Sequence, residues 1–286
     1  MPIDEMRSRF RGLLSGSHCV ILATVFDPLS ARVAEDLGYE AGLMGGSIAS
    51  HAVLAAPDVV LLTLTELVEQ VRRAVRVSAV PLLVDADHGY GNALNVMRTI
   101  SELAHAGAAA AMIEDTLLPA AFGPGREPKL LSFEESVAKI KAAVSAGRRS
   151  GMIVLGRTSA AAITGVEDAI ARLRAFEVAG VEALFVPGLR SRDELDRIAA
   201  AVKLPLVVGG AAEALCDPGY LASRRVRLWS GGHQPLIVAV QALHDAMKRV
   251  LEGALPAHLP AAGSVPLFDR LIHAKQVDDW TREFLS

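Results

Sequence analysis

Short runs of apolar residues alternate with longer amphipathic stretches along most of the chain. A short apolar run between glycine or polar positions is typical of a buried strand, whereas apolar residues spaced three and four apart indicate a helix. Eight strand-like runs are found, at residues 20–24, 41–44, 81–85, 110–114, 153–157, 183–186, 206–208 and 227–229. The helical stretches between them are residues 30–37, 64–75, 92–106, 133–146, 167–179, 192–202 and 235–251.

This alternation of strand and helix indicates parallel strands, which either close into a barrel or form an open doubly wound sheet. The number of units favours an α/β fold of the (β/α)8 TIM-barrel type. Residues 89–94 read GYGNAL, which begins like a dinucleotide-binding GxGxxG motif but lacks its third glycine. Asp85 and Asp87 precede that segment and would repel a pyrophosphate, so we set the open-sheet alternative aside.

The composition changes after residue 252, where proline, alanine and glycine become frequent as far as Pro266. A last helical pattern follows at residues 268–284. We therefore predict a catalytic barrel at residues 1–252, followed by a linker and C-terminal helix at 253–286. Trp280 and Phe284 are four residues apart and would give that helix an apolar anchor on the barrel or on a neighbouring subunit.

The 286 residues are 51% hydrophobic and 21% charged, with a formal net charge of −3, which is typical of a globular protein. Because no Lys/Arg-rich run occurs, we expect no nucleic-acid partner. Cys19 and Cys216 form no CxxC pair, so neither a disulfide framework nor a zinc site is expected. No signal-peptide pattern or membrane-spanning run stands out, so a cytoplasmic protein with a small-molecule substrate and no membrane partner is predicted.

Carboxylates follow two neighbouring strands of the predicted barrel. Asp85 and Asp87 end the third strand and Glu114 ends the fourth. Side chains alternate along a strand, so Asp85 and Asp87 should point the same way, towards the carboxyl end of the barrel where active sites lie. Oxygen-only ligands favour Mg²⁺, with Mn²⁺ as a substitute. The alternative is that each acid caps the following helix.

Other polar residues should face the same end of the barrel. Arg157 ends the fifth strand and is a candidate clamp for a substrate carboxylate, or else an ion-pair partner of the acids. His233 follows the eighth strand and could donate to a ligand. Gly46 and Ser47 follow the second strand, where the backbone and the hydroxyl could bind a carboxylate or keto oxygen. Asp58 is either a further acid of the site or a helix cap.

Several of these segments together resemble the isocitrate lyase / phosphoenolpyruvate mutase superfamily. They are Ser47, Asp58, DADHGYG at 85–91, IED at 113–115 and RT at 157–158. The resemblance covers nearly the whole chain, from residue 25 to the last helix. Segments 26–32, 87–99 and 113–119 are most similar to bacterial oxaloacetate decarboxylases of that superfamily.

The resemblance implies Mg²⁺-dependent decarboxylation of oxaloacetate to pyruvate and CO₂ through a metal-stabilised enolate. It implies that Asp85 binds Mg²⁺ directly, while Asp87 and Glu114 hold water molecules of the ion. Ser47 and Arg157 would fix the substrate carboxylate, and His233 would support the oxyanion. The superfamily also implies a homotetramer that exchanges C-terminal helices between subunits.

Some positions depart from the superfamily pattern. Residues 117–123 contain no cysteine and no Lys/Asn gating loop, which argues against isocitrate cleavage and against phosphonate chemistry. Ser159 replaces an asparagine, and the GGA sequence at 209–211 replaces a tyrosine, so we expect a roomier mouth there. Two alternatives remain open: a C–C lyase or hydrolase of a related 2-oxo or 2-hydroxy acid, and a non-catalytic oxalate- or metal-binding relative.

Overall fold

The computed structural model describes residues 1–120, 127–210, 212–255, 258–259 and 264–285. The strands are β1 Val20–Ile21, β2 Ala23–Thr24, β3 Gly42–Met44, β4 Leu82–Asp85, β5 Ala110–Glu114, β6 Ile153–Arg157, β7 Ala183–Pro187, β8 Leu206–Gly209 and β9 Val226–Ser230. The helices are α1 Ile3–Ser15, α2 Pro28–Asp36, α3 Gly46–Leu54, α4 Leu64–Val75, α5 Ala93–Ala106, α6 Phe133–Ser150, α7 Ala160–Ile163, α8 Val166–Ala179, α9 Arg192–Ala201, α10 Pro218–Ser223, α11 Gln234–Leu251, α12 Ser264–Leu271 and α13 Ala274–Phe284.

All paired strands run parallel, in the order β1-β9-β8-β7-β6-β5-β4-β3-β2. β1 and β2 are two halves of one strand separated by Leu22. The first half pairs with β9 and the second with β3. The Leu22 N–H donates to the Trp229 carbonyl at 2.8 Å, so the hydrogen bonds to β9 continue past the end of β1 towards β2. The sheet therefore closes, and the predicted TIM-type barrel is confirmed.

Two apolar layers hold the barrel together. Side chains such as Leu83, Met112 and Leu155 fill its interior, whereas a larger set packs between the strands and the surrounding helices. Phe10 of α1 is fully buried and belongs to the interior layer, so α1 covers one end of the barrel. The opposite end, where the strands terminate, is left open for a site.

The strand predictions agree with the structure to within about two residues, and the helix predicted at 64–75 matches α4. Four helices were not predicted: α1, α7, α10, and α3 in the glycine-containing segment around Ser47. The single C-terminal helix predicted at 268–284 is wrong, because the chain forms α12 and α13 there. His273, between them, has a φ of 56°, which a continuous right-handed helix does not allow.

The C-terminal helices differ from the rest of the chain in their exposure. α11 and α13 have no buried residue, and Trp280 and Phe284 are both exposed. α12 contacts α2, where Arg270 forms two hydrogen bonds with Asp36 at 2.7 and 2.9 Å. Exchange between subunits stays a prediction. In the described ranges, no helix is both long and apolar enough to cross a membrane.

Candidate active site

A cavity of about 620 Å³ lies at the carboxyl ends of the strands. Nearly all the site residues predicted from the sequence line it: Ser47, Asp58, Asp85, Asp87, Glu114, Arg157 and His233. Gly46 is the exception, since it is buried just behind the wall. The barrel thus gathers side chains from β4, β5, β6 and the segments after β3 and β9 around one space.

The acids at the strand ends are not helix caps. The side chain that caps α5 is Asn92, the cap of α6 is Ser132, and the cap of α4 is Thr63. Asp85, Asp87 and Glu114 are instead almost completely buried, with 6%, 9% and 5% of their surface exposed. Burial of three carboxylates in one place without a capping role indicates a site that binds positive charge.

Arg157 supplies the positive charge that faces these acids. Its Nη1 donates to Asp85 Oδ2, and its Nη2 lies 3.2 Å from Glu114 Oε2. Thr116 Oγ1 also donates to Glu114 Oε2, at 2.9 Å. The guanidinium carbon lies 5.7 Å from the centre of the Phe185 ring. The ion-pair interpretation of Arg157 therefore describes this structure, in which both terminal nitrogens face carboxylates.

The acids outnumber the cation. Burial raises the pKa of Asp87 well above its ordinary value, and repulsion from Asp85 and Glu114 adds to that shift. Burial also raises the pKa of Glu114, against the opposing effect of Arg157. Burial alone would lower the pKa of Arg157, but Asp85 and Glu114 outweigh it and raise that pKa, so this side chain stays charged. The excess negative charge is one that a further cation would relieve.

The glycines after β3 allow two close approaches. A Cβ added to Gly46 would lie 2.2 Å from Asp87 Oδ1, and one added to Gly45 would lie 2.9 Å from His233 Cε1. Ser47, in the first turn of α3, places its Oγ 2.7 Å from His233 Nε2. Burial lowers the pKa of His233, so the ring is neutral near pH 7. Gly46 therefore acts on the site by making room for Asp87.

Asp58 belongs to the cavity wall. It follows Ala55, whose φ of 50° ends α3 and turns the chain. Burial raises the pKa of Asp58, and the Asp85 carboxylate adds to this shift. With Thr63 as the cap of α4, the helix-cap alternative for Asp58 is wrong.

The far side of the cavity is lined by glycine. A Cβ on Gly209 would lie 2.7 Å from Phe185 Cζ, so the ring from β7 occupies the space beside it. A Cβ on Gly210 would meet nothing within 4 Å, and Ser159 also lines this side. Ala211, the third residue of the predicted roomier segment, lies outside the described residues. The expected extra room therefore exists at Gly210, whereas Phe185 fills the room at Gly209.

A buried network behind the acids was not predicted from the sequence. Asp115 Oδ2 accepts hydrogen bonds from Thr158 Oγ1 at 2.9 Å and from Arg172 Nη1 at 3.0 Å. Arg172 also donates to Asp168 of its own helix at 3.0 Å. These contacts tie the end of β5 to the end of β6, next to Glu114 and Arg157. The four-residue spacing of Asp168 and Arg172, which is typical of an ion pair along a helix, was the feature of the sequence that could have indicated part of this network.

The donor set at the acids fits a hard divalent cation, because carboxylate oxygens are the ligands that Mg²⁺ and Mn²⁺ prefer. Within the described ranges, no group of three or more His, Cys, Asp or Glu side chains is arranged to hold a metal ion directly. Direct ligation by Asp85 alone, with Asp87 and Glu114 acting through water, does not require such a group. The assignment of these three residues stays a prediction.

Comparisons with known proteins identify the family of the chain. The family model described as phosphoenolpyruvate phosphomutase matches residues 10–251. A protein of Paraburkholderia xenovorans (strain LB400) named oxaloacetate decarboxylase is 58% identical over 280 residues, which are 98% of this chain and 94% of that protein. The chain therefore belongs to the phosphoenolpyruvate phosphomutase family, and the resemblance seen in the sequence is confirmed.

Solved structures of relatives share the fold over almost the full length. Phosphonopyruvate hydrolase in complex with oxalate and Mg²⁺ has a TM-score of 0.86 and 26% identity, covering 98% of this chain and 99% of that one. 2,3-Dimethylmalate lyase, described as a PEP mutase/isocitrate lyase superfamily member, has a TM-score of 0.85 and 25% identity, covering 97% and 98%.

Proposed function

We propose that this protein is a lyase that decarboxylates oxaloacetate to pyruvate and CO₂ with the help of Mg²⁺. The observation that carries the proposal is the cavity in which three buried carboxylates and Arg157 meet the Ser47–His233 pair. The 58% identical relative named oxaloacetate decarboxylase supports it, and the neighbour solved with oxalate and Mg²⁺ supports the metal. Mn²⁺ is proposed as a substitute for Mg²⁺.

Each group of residues has a separate task in this proposal. Asp85 would hold the ion directly, with Asp87 and Glu114 binding its water molecules. A bound Mg²⁺ supplies positive charge where the keto oxygen becomes negative as CO₂ leaves. Arg157 and Ser47 bind the C1 carboxylate of the substrate, because a planar guanidinium and a hydroxyl match its two oxygens.

The Ser47–His233 pair completes the site from the side of α3. When the neutral ring carries its proton on Nε2, His233 donates to Ser47 Oγ, and the Ser47 hydroxyl proton is left to donate to a substrate oxygen. Donors held in place before reaction stabilise developing charge without having to reorient. Asp58 is proposed to act on the same space as a further residue of the cavity wall.

The test is pyruvate formation from oxaloacetate by the purified protein with Mg²⁺. The rate should exceed that of the same Mg²⁺ concentration without protein, fall to the background with EDTA and return when Mg²⁺ or Mn²⁺ is restored. Asp85→Ala, prepared in the same way, is the matched control for contaminating activity. No acceleration over free Mg²⁺ would contradict the proposal and favour a binding protein that has lost turnover.

A second candidate is action on a 2-oxo diacid with a substituent on C3. The open space at Gly210 favours it, and the neighbour named 2,3-dimethylmalate lyase takes its name from a substituted diacid.

We also propose that the protein acts in the cytoplasm as a homotetramer. The exposed apolar face of α11, which includes Ile237, Val240 and Leu243, supports assembly.

A further inference from the structure

Arg157 has two candidate partners that compete for its charge: the acids of the proposed metal site and the carboxylate of a substrate. In this structure its two terminal nitrogens face Asp85 and Glu114. Asp85 and Glu114 are also the proposed residues of the metal site, and Arg157 is the proposed clamp of the substrate carboxylate. A guanidinium has five N–H donors but only one positive charge, so it cannot fully neutralise the acids and a substrate carboxylate at the same time.

We infer that Arg157 couples metal binding to substrate binding. Without a metal ion its guanidinium neutralises Asp85 and Glu114. A divalent cation bound at Asp85 takes over that role and releases Arg157 to bind the substrate carboxylate. This inference rests on the proposed metal site and the proposed clamp, and it predicts that the metal binds first and that metal and carboxylate ligand strengthen each other.

Burial explains why the two events are linked. Asp85 and Glu114 are about 95% buried, and a buried carboxylate that loses its partner is strongly destabilised. Arg157 can therefore leave the acids only when another cation replaces it. The guanidinium and a metal ion, both positive, would repel each other if they shared these carboxylates, so the metal favours the released position.

The surroundings of Arg157 permit such a movement. Its Nε is buried and has no hydrogen-bond partner among the residues of the described ranges, so the side chain is fixed only through its terminal nitrogens. The guanidinium lies over the flat Phe185 ring, with 5.7 Å from its carbon to the ring centre. An aromatic face attracts a cation without specifying its rotation. Arg157 also lines the cavity, so the substrate side is open to it.

The first test measures Mn²⁺ binding in the absence of substrate by isothermal titration calorimetry at pH 8. Arg157→Met should bind Mn²⁺ about tenfold more tightly than wild type, a change of about 1.4 kcal/mol. Arg190→Met is the matched control, because Arg190 is exposed and does not line the cavity, and it should stay within about twofold of wild type. Unchanged or weaker Mn²⁺ binding by Arg157→Met overturns the inference.

Arg157→Lys guards against misfolding of the Met variant. A single ammonium cannot bridge both acids as the guanidinium does, so this variant should bind Mn²⁺ more tightly than wild type but less tightly than Arg157→Met. A Lys variant with the Mn²⁺ affinity of wild type would show that charge alone matters and that contact with both acids does not, which also overturns the inference.

The second test measures how far saturating oxalate strengthens Mn²⁺ binding. Coupling between two ligands is reciprocal, so the same factor describes the effect of Mn²⁺ on oxalate. Wild type should show a factor about tenfold larger than Arg157→Met, in which no guanidinium has to leave Asp85 and Glu114. Equal factors in the two proteins contradict the coupling. Both tests measure binding and do not depend on turnover. A failure to form pyruvate would therefore contradict the proposed function without affecting the interpretation of the binding results.

Discussion

The two sides of the cavity are built in opposite ways. On the side of β4, β5 and β6, charged groups are buried and paired, with Arg157 held between Asp85 and Glu114. On the side of β8, backbone takes the place of side chains, and Gly210 faces open space. With the proposed Mg²⁺ bound, the first side would stabilise negative charge in any 2-oxo acid, whereas the second would contact the group that distinguishes one such acid from another. Chemistry and selectivity are therefore separable in this site.

The largest effect is expected from loss of the proposed direct metal ligand on the charged side. Asp85→Asn keeps the shape of the side chain but removes its charge, and kcat/KM for oxaloacetate should fall at least about a thousandfold, as when electrostatic stabilisation is removed. Glu114→Gln should lose about 10- to 100-fold, the usual effect of a partner that acts through water. Steady-state kinetics at saturating Mg²⁺ measures both. A larger loss for Glu114→Gln than for Asp85→Asn would reverse the assignment.

The second prediction concerns the clamp on the same side. Arg157→Lys keeps the positive charge but loses the planar pair of donors that matches a carboxylate. We expect kcat/KM for oxaloacetate to fall about a hundredfold, within the 2–5 kcal/mol that truncation of a buried charged hydrogen-bonding partner costs. Near-normal kcat/KM in the Lys variant would show that Arg157 is only a structural ion-pair partner.

Most of the charged side could be predicted from the sequence because the positions of Asp85 and Glu114 follow from strand order. Asp85 and Glu114 end neighbouring strands, and the carboxyl ends of parallel strands meet at one end of a barrel. Asp87 lines the cavity as predicted, although the strand ends at Asp85 and Asp87 itself has a φ of 47°. Strand ends were therefore enough to place Asp85 and Glu114, whereas Asp87 reaches the cavity through the turn after the strand.

The side of the cavity at β8, which is lined by Gly209 and Gly210, could not be predicted in the same way. The missing side chain near Gly209 suggested empty space, but Phe185, from a different strand, fills it. Such a contact depends on how two side chains meet in three dimensions, and sequence spacing does not encode it. α3 was missed because glycine is a poor helix former, whereas here Gly45 and Gly46 make room for His233 and Asp87 at the start of a helix.

The third prediction concerns the contact between Ser47, which follows β3, and His233, which follows β9. Ser47 and His233 lie 2.7 Å apart, at hydrogen-bond distance. Ser47→Ala and His233→Asn should each lower kcat/KM for oxaloacetate about tenfold, because a hydrogen bond between neutral partners contributes about 0.5–1.5 kcal/mol. The double variant should lose less than the product of the two, since residues in contact are not additive. Full additivity would mean that the two side chains act independently.

The smallest effect, and the one that separates selectivity from chemistry most directly, concerns Gly210. A methyl group on C3 of oxaloacetate can enter the open space there, and burial of one such group is worth about 0.8 kcal/mol, or about fourfold. We expect kcat/KM for 3-methyloxaloacetate to equal or exceed that for oxaloacetate. Gly210→Ala places a methyl of the protein in the same space and should shift the ratio about fourfold towards oxaloacetate.

Gly165→Ala is the matched control for that substitution. Both glycines have positive φ values, 57° and 107°, and neither has an atom within 4 Å of an added Cβ, but only Gly210 lines the cavity. Backbone strain should therefore lower the thermal stability of both variants, while only Gly210→Ala changes the ratio of kcat/KM values. A strong wild-type preference for oxaloacetate, or an equal shift in both variants, would show that the space at Gly210 does not select the substrate. Oxalate inhibition should persist in both variants, because oxalate has no group that reaches Gly210 and depends only on the charged side.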